Sequence, residues 1–201
     1  MTRQLALPIL RAPEPTLDNF VPGSNAELLE RLRELAAGHG VEAVIYLWGA
    51  PGSGRSHLLR ACARPGVCVA DDVGALDEPA QITLFNAINL ARDTGGTVLA
   101  AGDAPPAQLA LREDLRSRLG WGLVYEVKLL TDAERALYLH GEAARRGLRL
   151  GDEVVAYLLT HVRRDMPSLG ALLEHLDRAS LEQRRPVTLP LVREALKSLE
   201  P

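Results

Sequence analysis

The sequence predicts an α/β fold: a reduced parallel sheet of about four strands, followed by a C-terminal all-helical lid subdomain. Three observations carry this. Short continuous apolar runs alternate with helical patterns over most of the chain, as strands buried on both faces of a parallel sheet do. One of those runs opens directly into a glycine-rich loop that leads to a helix. From Thr131 onward every apolar pattern has helical spacing.

The elements follow in order. The chain begins MTRQLALPILRAPEPT, where Pro8, Pro13 and Pro15 remove backbone donors and favour extended chain. Residues 1–16 therefore read as an extended tail, and the hexapeptide Gln4-Leu5-Ala6-Leu7-Pro8-Ile9 within it as a peptide suited to another protein's groove. Between Asn25 and Ala37, Leu28, Leu29, Leu32 and Leu35 recur at helical spacing until Gly38-His39-Gly40 breaks the pattern. Ala43–Trp48 (AVIYLW) is a buried parallel strand, and a helical segment over His57–Ala63 follows its loop. Val67–Ala70 (VCVA) and Thr97–Ala101 (TVLAA) repeat the buried-strand signature, with Ile82, Phe85, Ile88 and Ala91 on one face of a helix between them. Val124–Val127 supplies the fourth strand. In the lid, Thr131 and Glu134 form a capping box, Asp152 caps a second helix, and Leu169, Leu172, Leu173 and Leu176 stripe a third. Thr188 with Pro190 opens the last. The expected organisation is a tail over 1–16, an α/β subdomain over 17–130 and a helical lid over 131–201.

Composition narrows the function. Lys+Arg 23 against Asp+Glu 26 gives a net charge of −3, so no bulk cationic field draws a nucleic-acid backbone. The hydrophobic fraction of 47% and charged fraction of 24% are those of a globular protein. No apolar run approaches the roughly 20 residues of a membrane span, and no signal peptide is legible. Cys62 and Cys68 lack the partners of a zinc site and read as buried free thiols, which points to a reducing cytoplasm.

The chemistry begins at Gly49-Ala-Pro-Gly52-Ser53-Gly54-Arg55-Ser56, which matches the phosphate-binding pattern G-x-x-x-x-G-K-[ST] except that Arg55 replaces the lysine. Its glycines let backbone N–H groups turn around phosphate oxygens, the helix N-terminus adds partial positive charge, and Ser56 offers a hydroxyl to Mg2+. Arg55 brings a planar fork in place of a compact point charge. Val67-Cys-Val-Ala-Asp71-Asp72 reads as the second nucleotide element, a strand that ends by presenting Asp71 to the metal. Asp72 stands where many ATPases of this architecture carry a water-orienting glutamate. Only ten residues separate Ser56 from Val67. A helix of about 8 residues spans about 12 Å, enough to cross a sheet that lacks a further strand and helix at this point.

Together these residues resemble the AAA+ P-loop NTPase module of the DnaA-like family, and within it the DnaA regulatory inactivator (Hda) proteins, over nearly the whole chain. Pro15-Thr-Leu-Asp-Asn-Phe20-Val21-Pro-Gly-Ser-Asn25 is similar to the family's opening motif, which implies Phe20 and Val21 along the adenine side of a nucleotide. Gly54-Arg55-Ser56-His57-Leu58-Leu59 has arginine where Hda proteins tend to have it, and His57 joins the nucleotide set by the same resemblance. Gly102-Asp103-Ala-Pro-Pro106 resembles the sensor 1 turn, with Asp103 at the sensor position. Ser117-Arg118-Leu119-Gly120-Trp121-Gly122 resembles the segment carrying the arginine finger, which implies Arg118 for that role. Asp177-Arg178-Ala179-Ser180 and Pro186–Pro190 continue the likeness. Gln4, Leu5, Leu7, Pro8 and Ile9 match the short motif with which Hda proteins dock on the sliding clamp of the replicative DNA polymerase, its β subunit. Two departures stand out: the shortened segment before Asp71, and Pro167, which falls where the family carries a phosphate-sensing arginine, with Arg163 or Arg164 its nearest substitutes.

The resemblance implies a clamp-anchored negative regulator of replication initiation that stimulates hydrolysis of DnaA-bound ATP by giving Arg118 in trans. ADP, or ATP, would be its own ligand, with Mg2+ optional, and self-association stays open. The rival is an autonomous small ATPase of clamp-loader or helicase-loader type that uses Ser56, Asp71 and Asp72 for its own turnover. A DNA-reading regulator is a third reading, disfavoured by the negative charge and by the absence of room for a helix-turn-helix domain before Pro201. The competing reading of Arg118 is a surface arginine paired with Glu113 or Asp114.

Overall fold

A computed structural model describes residues 14–39, 42–162 and 166–197. The hexapeptide Gln4–Ile9 and the pair Arg163 and Arg164 lie outside them. The described residues form two compact units, Glu14–Leu130 and the chain from Thr131 on.

In the first unit, helix α1 (Ala26–Ala36) buries Leu28, Leu29, Leu32 and Leu35, the stripe its spacing predicts. Strand β1 (Val44–Trp48) feeds the glycine loop, and α2 (Arg55–Cys62) starts there, two residues before the expected His57, because Gly54 already accepts from the Leu58 N–H at 3.0 Å. Next come β2 (Val67–Ala70), α3 (Glu78–Thr94), β3 (Thr97–Gly102), the short α4 (Glu113–Leu119) and β4 (Leu123–Glu126). The four strands make one parallel sheet, as the sequence predicts, and their order is β2-β3-β1-β4. Alternation along β1 divides the core. Ile45 and Leu47 pack with α1 and α2 on one face, Val44 and Tyr46 with α3 and α4 on the other.

Three expectations need correction. β2 is not a buried strand: it is an edge, Cys68 is exposed and Val69 is 42% exposed, because among the described residues no further strand or helix covers them. Of the two thiols only Cys62 is buried. On α3 the inward stripe is Leu84, Ile88 and Ala91 with Phe85 partly buried, while Ile82 is 41% exposed. The helix meets the sheet at a phase shifted from the one its Ile/Phe/Ile spacing suggests.

The second unit is helical: α5 (Asp132–Arg145), α6 (Asp152–His161), α7 (Met166–Gln183) and α8 (Leu189–Lys197). Their apolar faces share one core that includes Leu139, Leu158, Leu169, Leu173 and Leu191. The capping box is present. Thr131 Oγ1 accepts from the Glu134 N–H at 3.2 Å, and the Glu134 carboxylate accepts from the Thr131 N–H at 2.7 Å. Asp152 does not cap α6; Gly151 holds that position, and the Asp152 carboxylate lies 3.2 Å from His140 Nε2. Pro167 falls in the first turn of α7, where a missing N–H costs the helix nothing.

Candidate functional site

A parallel sheet sends all its carboxyl ends to one edge. Adjacent strands β1 and β3 send their next helices to opposite faces, α2 with one core and α4 with the other, which opens a crevice at those ends. Into it project the loop 49–54 after β1 and the Asp103 turn after β3, while Asp71 ends the neighbouring β2.

The loop is shaped for close backbone approach. A Cβ at Gly49 would sit 2.4 Å from the Val127 carbonyl oxygen, and Gly54 adopts φ 101°, a left-handed conformation that initiates α2. Two polar atoms here are buried without a protein partner, Ser53 Oγ and Arg55 Nη1. A buried donor left unpaired costs about 1–3 kcal/mol, so such atoms mark a place for a ligand's acceptors. Phosphate oxygens fit both. Phe20 lies over Gly54, where a Cβ would come within 2.7 Å of its ring, and its ring centroid is 5.6 Å from that of His57. His57 Nε2 lies 2.8 Å from the Thr16 carbonyl oxygen, so that nitrogen carries the proton. The structure thus brings Phe20, Gly49, Gly52, Ser53, Gly54, Arg55, Ser56 and His57 together, with Val21 beside Phe20 in the chain.

Of the acidic candidates, Asp71 accepts from the Asp72 N–H at 2.9 Å, and Asp72 itself sits at φ 49°, unusual for a residue with a Cβ. Asp103 is exposed at the end of β3, its Oδ1 3.4 Å from where a Cβ on Gly74 would stand. Among the described residues no group of three His, Cys, Asp or Glu side chains gathers to hold a metal ion.

Two residues that sequence reasoning passed over shape the crevice. Tyr46, inside an apolar run, reaches from β1 to donate to the Ala104 carbonyl at 2.8 Å, pinning the Asp103 turn. Burial first, then the Asp103 charge, pushes its phenol well above the ordinary range, against a smaller opposite pull from Arg55. A phenol among aliphatic residues is the signal that was available. Asn25 receives the Lys128 N–H at 2.8 Å and donates to the Lys128 carbonyl at 3.0 Å, closing the start of α1 onto the end of the unit. Its partner lies 103 residues away, so no local pattern could reveal it.

Arg118 lies elsewhere. It ends α4 and lines a cavity of about 170 Å3 with Glu42, Val44, Asn89, Arg92 and Trp121, at the amino end of β1. The five residues of β1, at about 3.3 Å each, put that cavity roughly 16 Å from the loop at the strand's other end. Neither expected carboxylate pairs with it: Asp114 is held by Arg112, at 2.8 Å, and that ion pair keeps the Asp114 carboxyl below its usual range. Arg118 Nη1 is buried without a partner, and its guanidinium stacks on Trp121.

Residues 132–196 match the family model "Hda, lid domain". An uncharacterized protein of Haemophilus influenzae is 31% identical over an alignment of 230 residues that covers 98% of this chain and 99% of the relative. That alignment is longer than the chain, so the relative carries residues this one lacks. Domain III of DnaA from Thermotoga maritima superposes with TM-score 0.71 at 21% identity, covering 94% of this chain and 98% of that one. AMPPCP-bound DnaA from Aquifex aeolicus gives 0.70 at 21%, covering 85% and 67%. The chain therefore carries a lid of the Hda type over residues 132–196 on a fold shared with the AAA+ domain of DnaA, which makes it an Hda-like, DnaA-related protein.

Proposed function

We infer that this DnaA-related replication regulator is a clamp-anchored adaptor that restrains initiation. Held on the polymerase sliding clamp through Gln4, Leu5, Leu7, Pro8 and Ile9, it offers Arg118 in trans to ATP bound by DnaA. The observation that carries the reading is where Arg118 stands: at the opposite end of β1 from this chain's own phosphate loop, with no ion pair among the described residues. A guanidinium so placed has no task at its own nucleotide. A neighbour's phosphates could come to it, and its fork would neutralise charge developing on the transferred phosphoryl group, an effect worth several orders of magnitude in rate.

The chain's own nucleotide then has a structural part. Ser53 Oγ and Arg55 Nη1 supply donors for phosphate, and Phe20 and His57 flank the loop on the side proposed for adenine. ADP is the ligand we favour over ATP, since Pro167 brings no charge to a third phosphate. Mg2+, if present, would bind Ser56 and phosphate oxygens with Asp71 and Asp72 beyond them. Self-association would set Arg118 of one copy toward another's loop by the same geometry.

The test is hydrolysis of DnaA-bound ATP with and without DNA-loaded clamp. Arg118→Ala should retain fold and nucleotide binding yet lose nearly all stimulation, and Arg118→Lys should restore little, because a point charge does not reproduce the planar fork. Stimulation by the alanine variant at near the wild-type rate would overturn the mechanism. Steady ATP turnover by the isolated chain would instead favour the autonomous ATPase.

A further inference from the structure

The guanidinium of Arg118 is held in place before it meets any phosphate. Its central carbon lies 3.7 Å from the centroid of the Trp121 ring and 5.4 Å from that of Phe85. A separation of 3.7 Å is too short for an edge approach; the cation rests on the indole face. Stacking of this kind uses the flat faces of the guanidinium and leaves its in-plane N–H groups free for oxygen acceptors.

The backbone that carries the indole is itself fixed. The Trp121 N–H donates to the Arg118 carbonyl at 3.2 Å, closing the turn through Gly120. The next residue, Gly122, lies so close to β1 that a Cβ would stand 1.9 Å from the Val44 carbonyl oxygen. Trp121 therefore cannot drift along the sheet edge. Yet it is 61% exposed, so core packing is not its main use. The buried, unpartnered Arg118 Nη1 and Asn89 Oδ1 line the same cavity, so no protein hydrogen bond on that Nη1 competes with the stack for the guanidinium's orientation.

We propose that Trp121 is a positioning residue for Arg118: its indole face fixes the plane of the guanidinium and keeps the long side chain from sampling other rotamers. The proposal rests on the reading of Arg118 as an arginine given in trans. An unstacked arginine would have to be ordered during each encounter, and the rate would fall without any loss of docking.

Three variants of the full chain test this: Trp121→Leu keeps apolar bulk, Trp121→Phe keeps an aromatic face, and Arg118→Ala removes the arginine. With DNA-loaded clamp and ATP-bound DnaA, Trp121→Leu should lower the maximal stimulated rate about tenfold, with the half-saturating adaptor concentration unchanged. Trp121→Phe should recover most of that rate. Independently, phenylglyoxal labelling of Arg118, followed by mass spectrometry on the isolated protein, should quicken severalfold in Trp121→Leu and stay near wild type in Trp121→Phe. Equal labelling in the wild type and Trp121→Leu would overturn the proposal, as would rescue by Leu as complete as by Phe. So would a shift in half-saturation alone, which would make Trp121 a docking residue. Full stimulation by Arg118→Ala would remove the trans reading, and the labelling arm would still decide whether Trp121 holds the arginine.

Discussion

At the scale of single residues, the two cysteines separate what local sequence can and cannot reveal. Both sit in apolar surroundings in the sequence, but Cys68 lies on an edge strand and Cys62 under α1 and the sheet. Burial pushes the Cys62 thiol from its ordinary 9.0 up to about 11, against a smaller pull downward from Arg64. Maleimide at neutral pH should therefore modify Cys68 alone, with Cys62 labelled only in denaturant; uptake of two labels by the native protein would contradict the described packing. The raised value also has a sign for stability. The folded state holds its proton longer than the unfolded one, so the contribution is complete below about pH 9 and is lost as pH rises through about 11. Denaturation midpoints compared between wild type and Cys62→Ala over that range should show the alkaline decline reduced in the variant. Arg118 teaches the same lesson from the other side. Its place in the chain suggested Glu113 or Asp114 as partners, whereas the structure gives it aromatic faces, one of them Phe85 on α3.

At the scale of elements, legibility follows the range of the interactions involved. The glycine-rich turn into α2, the stripe of α1 and the capping box of α5 were readable because each is settled within a few residues. The box gives a direct test. Thr131→Ala should cost about 1 kcal/mol, read as a lowered denaturation midpoint of the helical unit, with the α/β unit unaffected. No change in the midpoint would mean that packing alone sets the start of α5. By contrast, the exposure of β2 depends on a further strand and helix that the segment between Ser56 and Asp71 does not hold, and an apolar tetrapeptide reads alike at an edge or in a centre. The inward phase of α3 was missed for a related reason. Ile82 and Leu84 are both apolar, and only the sheet beneath decides which of them is covered.

At the scale of the whole molecule, the sheet order sets the Asp103 strand between the strand that feeds the loop and the strand that ends at Asp71. Three segments far apart in sequence meet at one edge, and the orphaned Ser53 Oγ and Arg55 Nη1 lie at that edge waiting for acceptors. A ligand that satisfies them should stabilise the fold by about 2.7 kcal/mol at a hundredfold excess over its Kd. Thermal shift and calorimetry with ADP and with ATP measure this. ADP should raise the midpoint at least as far as ATP; no shift with either nucleotide would exclude the crevice as a nucleotide site.

The arm that leads into α1 has one more consequence. Thr16 bonds to His57 and Phe20 lies on Gly54, so the chain touches the glycine-rich loop and the start of α2 before it reaches the Asn25–Lys128 clasp and the sheet. Mechanically, among the described residues that loop and the start of α2 are the first anchorage met by tension entering the backbone at Glu14. A pull entering there is felt at Gly54 and His57 ahead of any strand. Under load, these contacts would be the first to part, and the sheet behind them would be the last to register the pull.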